Sequence, residues 1–411
     1  MAGRYRHDLW LFFFTILVVG GTFSGQVLIA SFGILGLIVG SLAWLWNKVS
    51  LVELTYQRKL ARSRAFVGDV VPITISLTNH KPIPLSWVRI YDQSPPEVEI
   101  QRIDTDEQVG TTALSMMFST SIGWYEKVVW EYSLKCKTRG YFRLGPARIE
   151  SGDPFGFFTC EQTSAERDYL LVYPEVKSLP TLGIPSLRPM GDVRNGVPIY
   201  PDLSSPATVH DYQRGDPLRW VDWKLSAKAH RLQVRVFDPS SSTSIVLIVA
   251  IETTPVNWGG YSPALLERII MVAASVAHHA VENGNELGLF SNGSAIRADR
   301  PMTIPNSAEP QQLSLILEAL ATITPLVMSS IHNRLGDHIR KFPIGSTLVI
   351  VTAIVTPELA AVILDLKAMG HPVVVLYVNE GSCPDLPEGV IVHEVGEHIA
   401  KAEDVSEFGP R

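Results

Sequence analysis

The residues best suited to chemistry are packed into one short run, 210–228, which reads His-Asp-Tyr-Gln-Arg-Gly-Asp-Pro-Leu-Arg-Trp-Val-Asp-Trp-Lys-Leu-Ser-Ala-Lys. Asp211, Asp216 and Asp222, with Lys224, include potential general acids and bases. Asp216 is a good N-cap and Pro217 suits the first helical position, so the spacing predicts a helix starting there. Gly215 permits the tight turn before it. On such a helix Trp220 and Lys224 share a face, as do Arg219 and Trp223. Asp211 and Asp222 can offer carboxylates to Arg214, Arg219 or Lys228. The first reading of this cluster is a salt-bridge and N-cap network that packs a connector against the domain that follows. The second is a partner-contact surface, with Tyr212, Trp223 and Ser226 among its members. Catalysis ranks third, because charged clusters perturb pKa values in structural networks too. No catalytic residue is assigned, and the chain is expected not to be an enzyme.

Other chemical signatures are weak. His393, Glu394 and His398 resemble a zinc-protease H-E-x-x-H, but the histidines are five apart and would point in different directions on a helix. There is no phosphate-binding G-x-x-x-x-G-K-[ST] loop and no G-x-S-x-G elbow. Arg214-Gly215-Asp216 spells an adhesion tripeptide, which a cytoplasmic domain would never present to a receptor. Cys136, Cys160 and Cys383 are odd in number and widely spaced, which fits a reducing compartment. A net charge of -6 argues against nucleic acid as a partner.

The elements that must position the cluster follow from hydropathy. Residues 9–25 and 27–46 carry no charge. About 20 apolar residues cross a bilayer, so both are expected to be transmembrane helices, paired as a hairpin through Ser24, Gly25 and Gln26. Arg4 and Arg6 precede the pair and Lys48, Arg58, Lys59, Arg62 and Arg64 follow it. The positive-inside rule therefore puts both termini in the cytoplasm and the chain in the cell membrane. A signal peptide is set aside because a second apolar segment follows at once.

Residues 51–178 read as a β-sandwich-like domain. Ile73, Ile75 and Leu77 alternate with hydroxylated residues, and Val128, Trp130, Tyr132 and Leu134 with more polar ones. Residues 179–243 form a Pro- and Gly-rich connector ending in the cluster, and no regular element is expected over 179–206. Residues 244–395 alternate strands and helices as a doubly wound α/β domain. The remainder, 396–411, shows no clear pattern.

The cluster resembles the hallmark of the bacterial domain-of-unknown-function 58 family, R-E-Y-x-x-G-D-x-x-R-x-I-x-W-x-x-S-A-R. Tyr212, Gly215, Asp216, Arg219, Trp223, Ser226 and Ala227 match it; His210, Asp211, Val221 and Lys228 are replacements. A second family-like segment holds Arg139-Gly140-Tyr141, Gly145-Pro146 and Asp153-Pro154-Phe155-Gly156-Phe157. The resemblance implies that the α/β domain is similar to a von Willebrand factor A domain. It also implies association with MoxR-type AAA+ ATPases and a role assisting the assembly of other proteins. Von Willebrand A domains can hold Mg²⁺ through D-x-S-x-S after the first strand. The matching residues here are Glu252, Thr254 and Val256, with Thr352 where a later Asp is expected. At most a degenerate site is implied, and no cofactor is expected.

Overall fold

The protein, seen in a computed structural model, is described over residues 9–102, 115–185, 201–213, 221–239, 244–255, 260–295, 301–327 and 329–407. It divides into two compact units, Met1–Tyr173 and Pro174–Arg411.

The first unit opens with an apolar helix pair, α1 (Leu9–Phe23) and α2 (Val27–Ser50). Small residues form the seam between them. A Cβ on Gly36 would lie 2.2 Å from the Phe14 ring, and one on Gly40 2.2 Å from the Trp10 ring. Such small-residue seams let helices approach closely where no water drives them together. α2, with 24 residues, is long and apolar enough to cross a membrane. α1 has 15 residues and is shorter than the expected span over 9–25. A second helix passes the same test of length and composition, Pro263–Glu282, but it is a core helix of the other unit.

Among the described residues eleven strands follow: β1 (Leu54–Leu60), β2 (Arg64–Phe66), β3 (Val70–Asn79), β4 (Leu85–Gln93), β5 (Val98–Arg102), β6 (Ser115–Ile122), β7 (Lys127–Cys136), β8 (Gly140–Leu144), β9 (Ala147–Gly152), β10 (Thr159–Thr163) and β11 (Asp168–Tyr173). Two antiparallel four-stranded sheets, ordered β1-β3-β7-β5 and β10-β9-β4-β6, share one apolar core. A third sheet, β2-β11-β8, flanks them. The period-two pattern explains the faces: Val71, Ile73, Ile75 and Leu77 of β3 are buried, and so are Tyr132 and Leu134 of β7.

α2 is fastened to this domain at its C-terminal end. The Ser50 hydroxyl lies 2.8 Å from Cys160 Sγ. Lys81 Nζ donates to the carbonyls of Ser50 and Val52, a favourable position for a cation at a helix C-terminus. Arg58, counted above with the charges that follow the second span, does not stay at the surface. Its guanidinium is fully buried against Asp92 and also reaches Asp168.

The second unit starts with a 3₁₀ turn, Leu179–Leu182, and then β12 (Pro201–Asp211), α3 (Trp223–Ala229) and β13 (Gln233–Pro239). Two elements therefore occur where 179–206 was expected to be irregular. β12 tolerates Pro201 and Pro206 because it pairs only with β13, and the register shifts at both prolines.

The α/β domain comprises β14 (Ser244–Val249), α4 (Pro263–Glu282), β15 (Glu286–Ala295), β16 (Pro301–Ser307), α5 (Gln312–Thr322), β17 (Ile323–Val327), α6 (Ile331–His338), β18 (Thr347–Thr352), α7 (Pro357–Ala368), β19 (Val373–Tyr377), β20 (Ile391–Glu394) and α8 (Gly396–Glu407). The sheet order is β16-β15-β14-β18-β19-β20. β16 and β17 run antiparallel to β15, and the other pairs are parallel. α6 and α7 cover the face presented by Val246, Ile248, Ile350 and Val375. α4 and α5 pack on each other and on β14 and β15. The residues after Glu394 are not patternless, since α8 forms there, with its Ile399 and the preceding Val395 fully buried.

Candidate functional site

Two places in the second unit deserve a chemical reading: the family-like cluster, and the C-terminal edge of the parallel sheet. In the cluster, Arg214, Gly215, Asp216 and Arg219 lie outside the described residues. Val221 makes an antiparallel bridge to Val234, and Asp222 has extended backbone. Pro217 and Trp220 also lie outside the described residues, so the helix expected to start at Pro217, with its pairings of Trp220 with Lys224 and of Arg219 with Trp223, falls on residues that are not described. The described helix α3 starts one residue after Asp222. The Asp222 carboxylate accepts from the backbone N–H groups of Lys224 and Leu225, both at 3.0 Å. That is an N-cap, and it belongs to α3.

Ser226 is the second fastening. It is buried, and its hydroxyl accepts from the Gln233 N–H at 2.8 Å, tying α3 to β13. Asp211, on β12, pairs across the ribbon with Arg231 at 2.9 Å and accepts from the Gln233 side chain. Arg214 and Arg219, the other expected partners, lie outside the described residues. Tyr212 continues the ribbon, its N–H donating to the Leu232 carbonyl. Lys224 and Lys228 are exposed on α3. Trp223 is 67% exposed, although it begins the helix beside two buried polar anchors.

At the sheet edge the chain leaves β14 through Glu252, Thr253 and Thr254. The Glu252 carboxylate accepts from the N–H of Ile331 at 2.9 Å, and so caps α6, whose own N-cap Ser330 gives no side-chain bond. Burial pushes the Glu252 carboxyl above the usual range, against the pull of that N–H, of His332 and of Asn292. Asn292, fully buried on β15, accepts from Ile251 N and donates to Ser329 O. Sequence reasoning missed Asn292. Its signal was the polar run Ser291-Asn292-Gly293-Ser294 within an otherwise apolar strand.

The donors at this edge do not fit Mg²⁺. The ion wants several hard oxygens in near-octahedral array. Glu252 is a single carboxylate in surroundings that penalise its charge. Thr254 Oγ1 donates to Gly260 O. Thr352 Oγ1 both donates to Ile354 O and accepts from Ile354 N, so it serves its own loop. Val256 lies outside the described residues, and its side chain has no oxygen to give. Among the described residues no group of three or more His, Cys, Asp or Glu side chains converges. His393 and His398 fall on different elements, β20 and α8; Glu394 accepts from the Cys383 N–H and His398 sits against Gly183.

Glu252→Gln tests this reading. Because the folded pKa is raised, the folded domain holds that proton more tightly than the unfolded chain does. Stability is then lost as pH rises through the interval between the two values, and the loss is complete above the folded one. Glutamine keeps an acceptor for Ile331 without the charge. We expect the variant's α/β domain to match or exceed the parent's stability in urea at pH 7, with the advantage vanishing in acid.

Residues 208–394 match the model of a family described as protein of unknown function DUF58. The DUF58 region thus runs from the β12–β13 ribbon through β20. The chain is also 27% identical, over 238 residues, to a Bacillus subtilis protein described as uncharacterized protein YeaD. That alignment takes in 57% of this chain and 55% of YeaD, so the chain spans about half the length of this curated relative. Among solved structures, the CARDB domain of the PF1109 protein from Pyrococcus furiosus is similar at 16% identity, over 29% of this chain and 91% of that one, with a TM-score of 0.20. A cohesin module from a Clostridium perfringens family 33 glycoside hydrolase is similar at 12% identity, over 29% and 96%, with a TM-score of 0.22. At such TM-scores neither likeness bears on the DUF58 region or its chemistry.

Proposed function

We propose that the chain is a membrane-anchored display module, held by its N-terminal helix pair, which offers the DUF58 region to a cytoplasmic protein partner. One observation carries this reading: Trp223, a residue of the family motif, is 67% exposed while Asp222 and Ser226 beside it are buried and hydrogen-bonded. The buried pair builds the local structure and the tryptophan is left for contact. Tryptophan is enriched among residues that dominate binding energy. The partner proposed is a MoxR-type AAA+ ATPase, on the strength of the family resemblance, and the work done is assistance in assembling membrane-linked proteins. No reaction is assigned to the chain itself.

The strand order supports a von Willebrand A-like α/β domain. Numbered along the main path alone, leaving out β17, the order reads 3-2-1-4-5-6, with the third strand antiparallel. In such sheets ligands meet the C-terminal strand ends beside the switch point, the edge that holds Glu252 and Thr352. Anchoring is supported by the length and apolarity of α2 and by the small-residue seam that pairs it with α1. The basic residues on either side of the pair favour cytoplasmic termini.

The test is capture of the purified ATPase by the full-length protein in detergent. Trp223→Ala is expected to weaken capture by tenfold or more, on the order of 2 kcal/mol, with unchanged thermal unfolding. Asp222→Ala is expected instead to cost about 1 kcal/mol of local stability through loss of the cap. Undiminished capture by Trp223→Ala, or its failure to fold, would remove the contact role.

A further inference from the structure

The second family-like segment is used by nothing described so far, and it lies against the helix pair. Phe158 packs edge-on to Trp10 of α1, with ring centroids 5.8 Å apart. Phe157 and Phe158 line an apolar hollow of about 270 Å³ with Trp10, Phe14, Gly36 and Gly40. Phe155 and Phe157 stack on each other, and each is 60% exposed. We infer that residues 154–158 form an aromatic loop that dips into the acyl-chain region of the bilayer beside the helix pair. The inference rests on the membrane-anchored reading above.

Depth along α2 is the first support. Cys160 meets Ser50 at the helix end, whereas Phe158 meets Trp10 at the level of Gly40. Gly40 lies six residues before Trp46, the end of the uncharged stretch, which is about 9 Å at 1.5 Å per residue. By α2 this places Phe158 about 9 Å inside the uncharged stretch, and by α1 beside Trp10, where that helix's own uncharged stretch begins.

Backbone chemistry is the second. A segment in lipid must satisfy its own N–H groups. Here the fully buried Asp153 carboxylate accepts from the N–H groups of Phe155, Phe157 and Phe158, and the Asp153 carbonyl accepts from Gly156. Pro154 has no N–H to satisfy. Every N–H from 154 to 158 is therefore paired within the loop. A water-exposed turn has no need of this, whereas a lipid-exposed one requires it. At the level of the helix end, Trp124 and Tyr125 are exposed, and the Tyr125 N–H donates to Lys81, the residue that caps α2. Tryptophan and tyrosine belong at the headgroup level, just above a dipping phenylalanine loop.

The experiment places a benzophenone-bearing phenylalanine analogue at 155 or 157 in the full chain, reconstituted into vesicles of phosphatidylethanolamine and phosphatidylglycerol. Light-dependent lipid adducts are read by mass spectrometry. Leu35, exposed in the middle of α2, serves as the lipid-facing reference. Phe66 serves as the reference away from the membrane, since it neighbours the opposite end of β3 from Asn79, roughly 30 Å off at 3.3 Å per residue. Adducts at 155, 157 and 35, with none at 66, are expected. Adducts at 35 but not at 155 or 157 overturn the loop's insertion and leave the anchor standing. Absence at 35 as well overturns both.

Discussion

Replacing Arg58 by methionine should cost the β domain about 3–5 kcal/mol, the usual penalty for stranding a buried charge. Arg58 Nη1 lies 2.6 and 2.7 Å from the two oxygens of Asp92, Nε 2.8 Å from Asp168, and Nη2 2.8 Å from the Leu144 carbonyl. Tyr56 donates to the same Asp92 carboxylate at 2.7 Å. Burial, then Asp92 itself, pushes the Tyr56 hydroxyl far above its ordinary range. Gly145 leaves room for the guanidinium, since a Cβ there would lie 2.8 Å from Nη2. Without the guanidinium, Asp92 would be an unpaired anion with no exposed side-chain surface. The double change Arg58→Met with Asp92→Leu should recover most of the loss, because removing a buried pair together costs far less than breaking it. Calorimetry of the full chain in detergent checks this. The β-domain transition should fall in the single variant, and the α/β transition should stay where it was.

Phe290→Ala should have the converse effect, lowering the α/β transition by about 3–5 kcal/mol through lost burial and the cavity left behind. Phe290 is 1% exposed at the centre of the sheet face under α6. It meets Phe342 edge-on at 5.6 Å and His338 at 5.2 Å, and the buried Arg334 guanidinium lies 4.8 Å over its ring. Burial already lowers the Arg334 pKa. Removing the ring deletes the π face that offsets part of that desolvation. α6 is also the helix that Glu252 caps, so loosening it should speed amide exchange at Ile331. An unmoved α/β transition would mean that α6 is not held as described.

Much of the α/β domain could be read in the sequence because its central strands announce themselves. Thr347–Thr352 is an uninterrupted β-branched and aliphatic run, buried on both faces, with the bounds that its hydropathy suggests. The elements that were missed lie at edges. β12 and β16 carry prolines that only an edge or a ribbon tolerates, and their pattern resembles a linker. Of the side chains described on α8, Ile399 is fully buried, and a lone buried apolar side chain gives no helical period. In the cluster the residues were legible but their duties were not. Asp216 and Asp222 are both sound N-caps by type; Asp216 and Pro217 lie outside the described residues, and Asp222 caps α3. The ribbon partner Val234, thirteen positions beyond Val221, decides that the described helix begins after Asp222. Long-range partners leave no local trace at all: Arg58 meets Asp92 across 34 residues and Asp168 across 110.

The most direct test of the account is protease protection combined with carbonate extraction of cell membranes that carry the full chain. The chain should remain in the membrane pellet at alkaline pH, escape protease added to intact spheroplasts, and be cut once the spheroplasts are lysed. Release into the supernatant, or digestion of the β and α/β domains in intact spheroplasts, would contradict it.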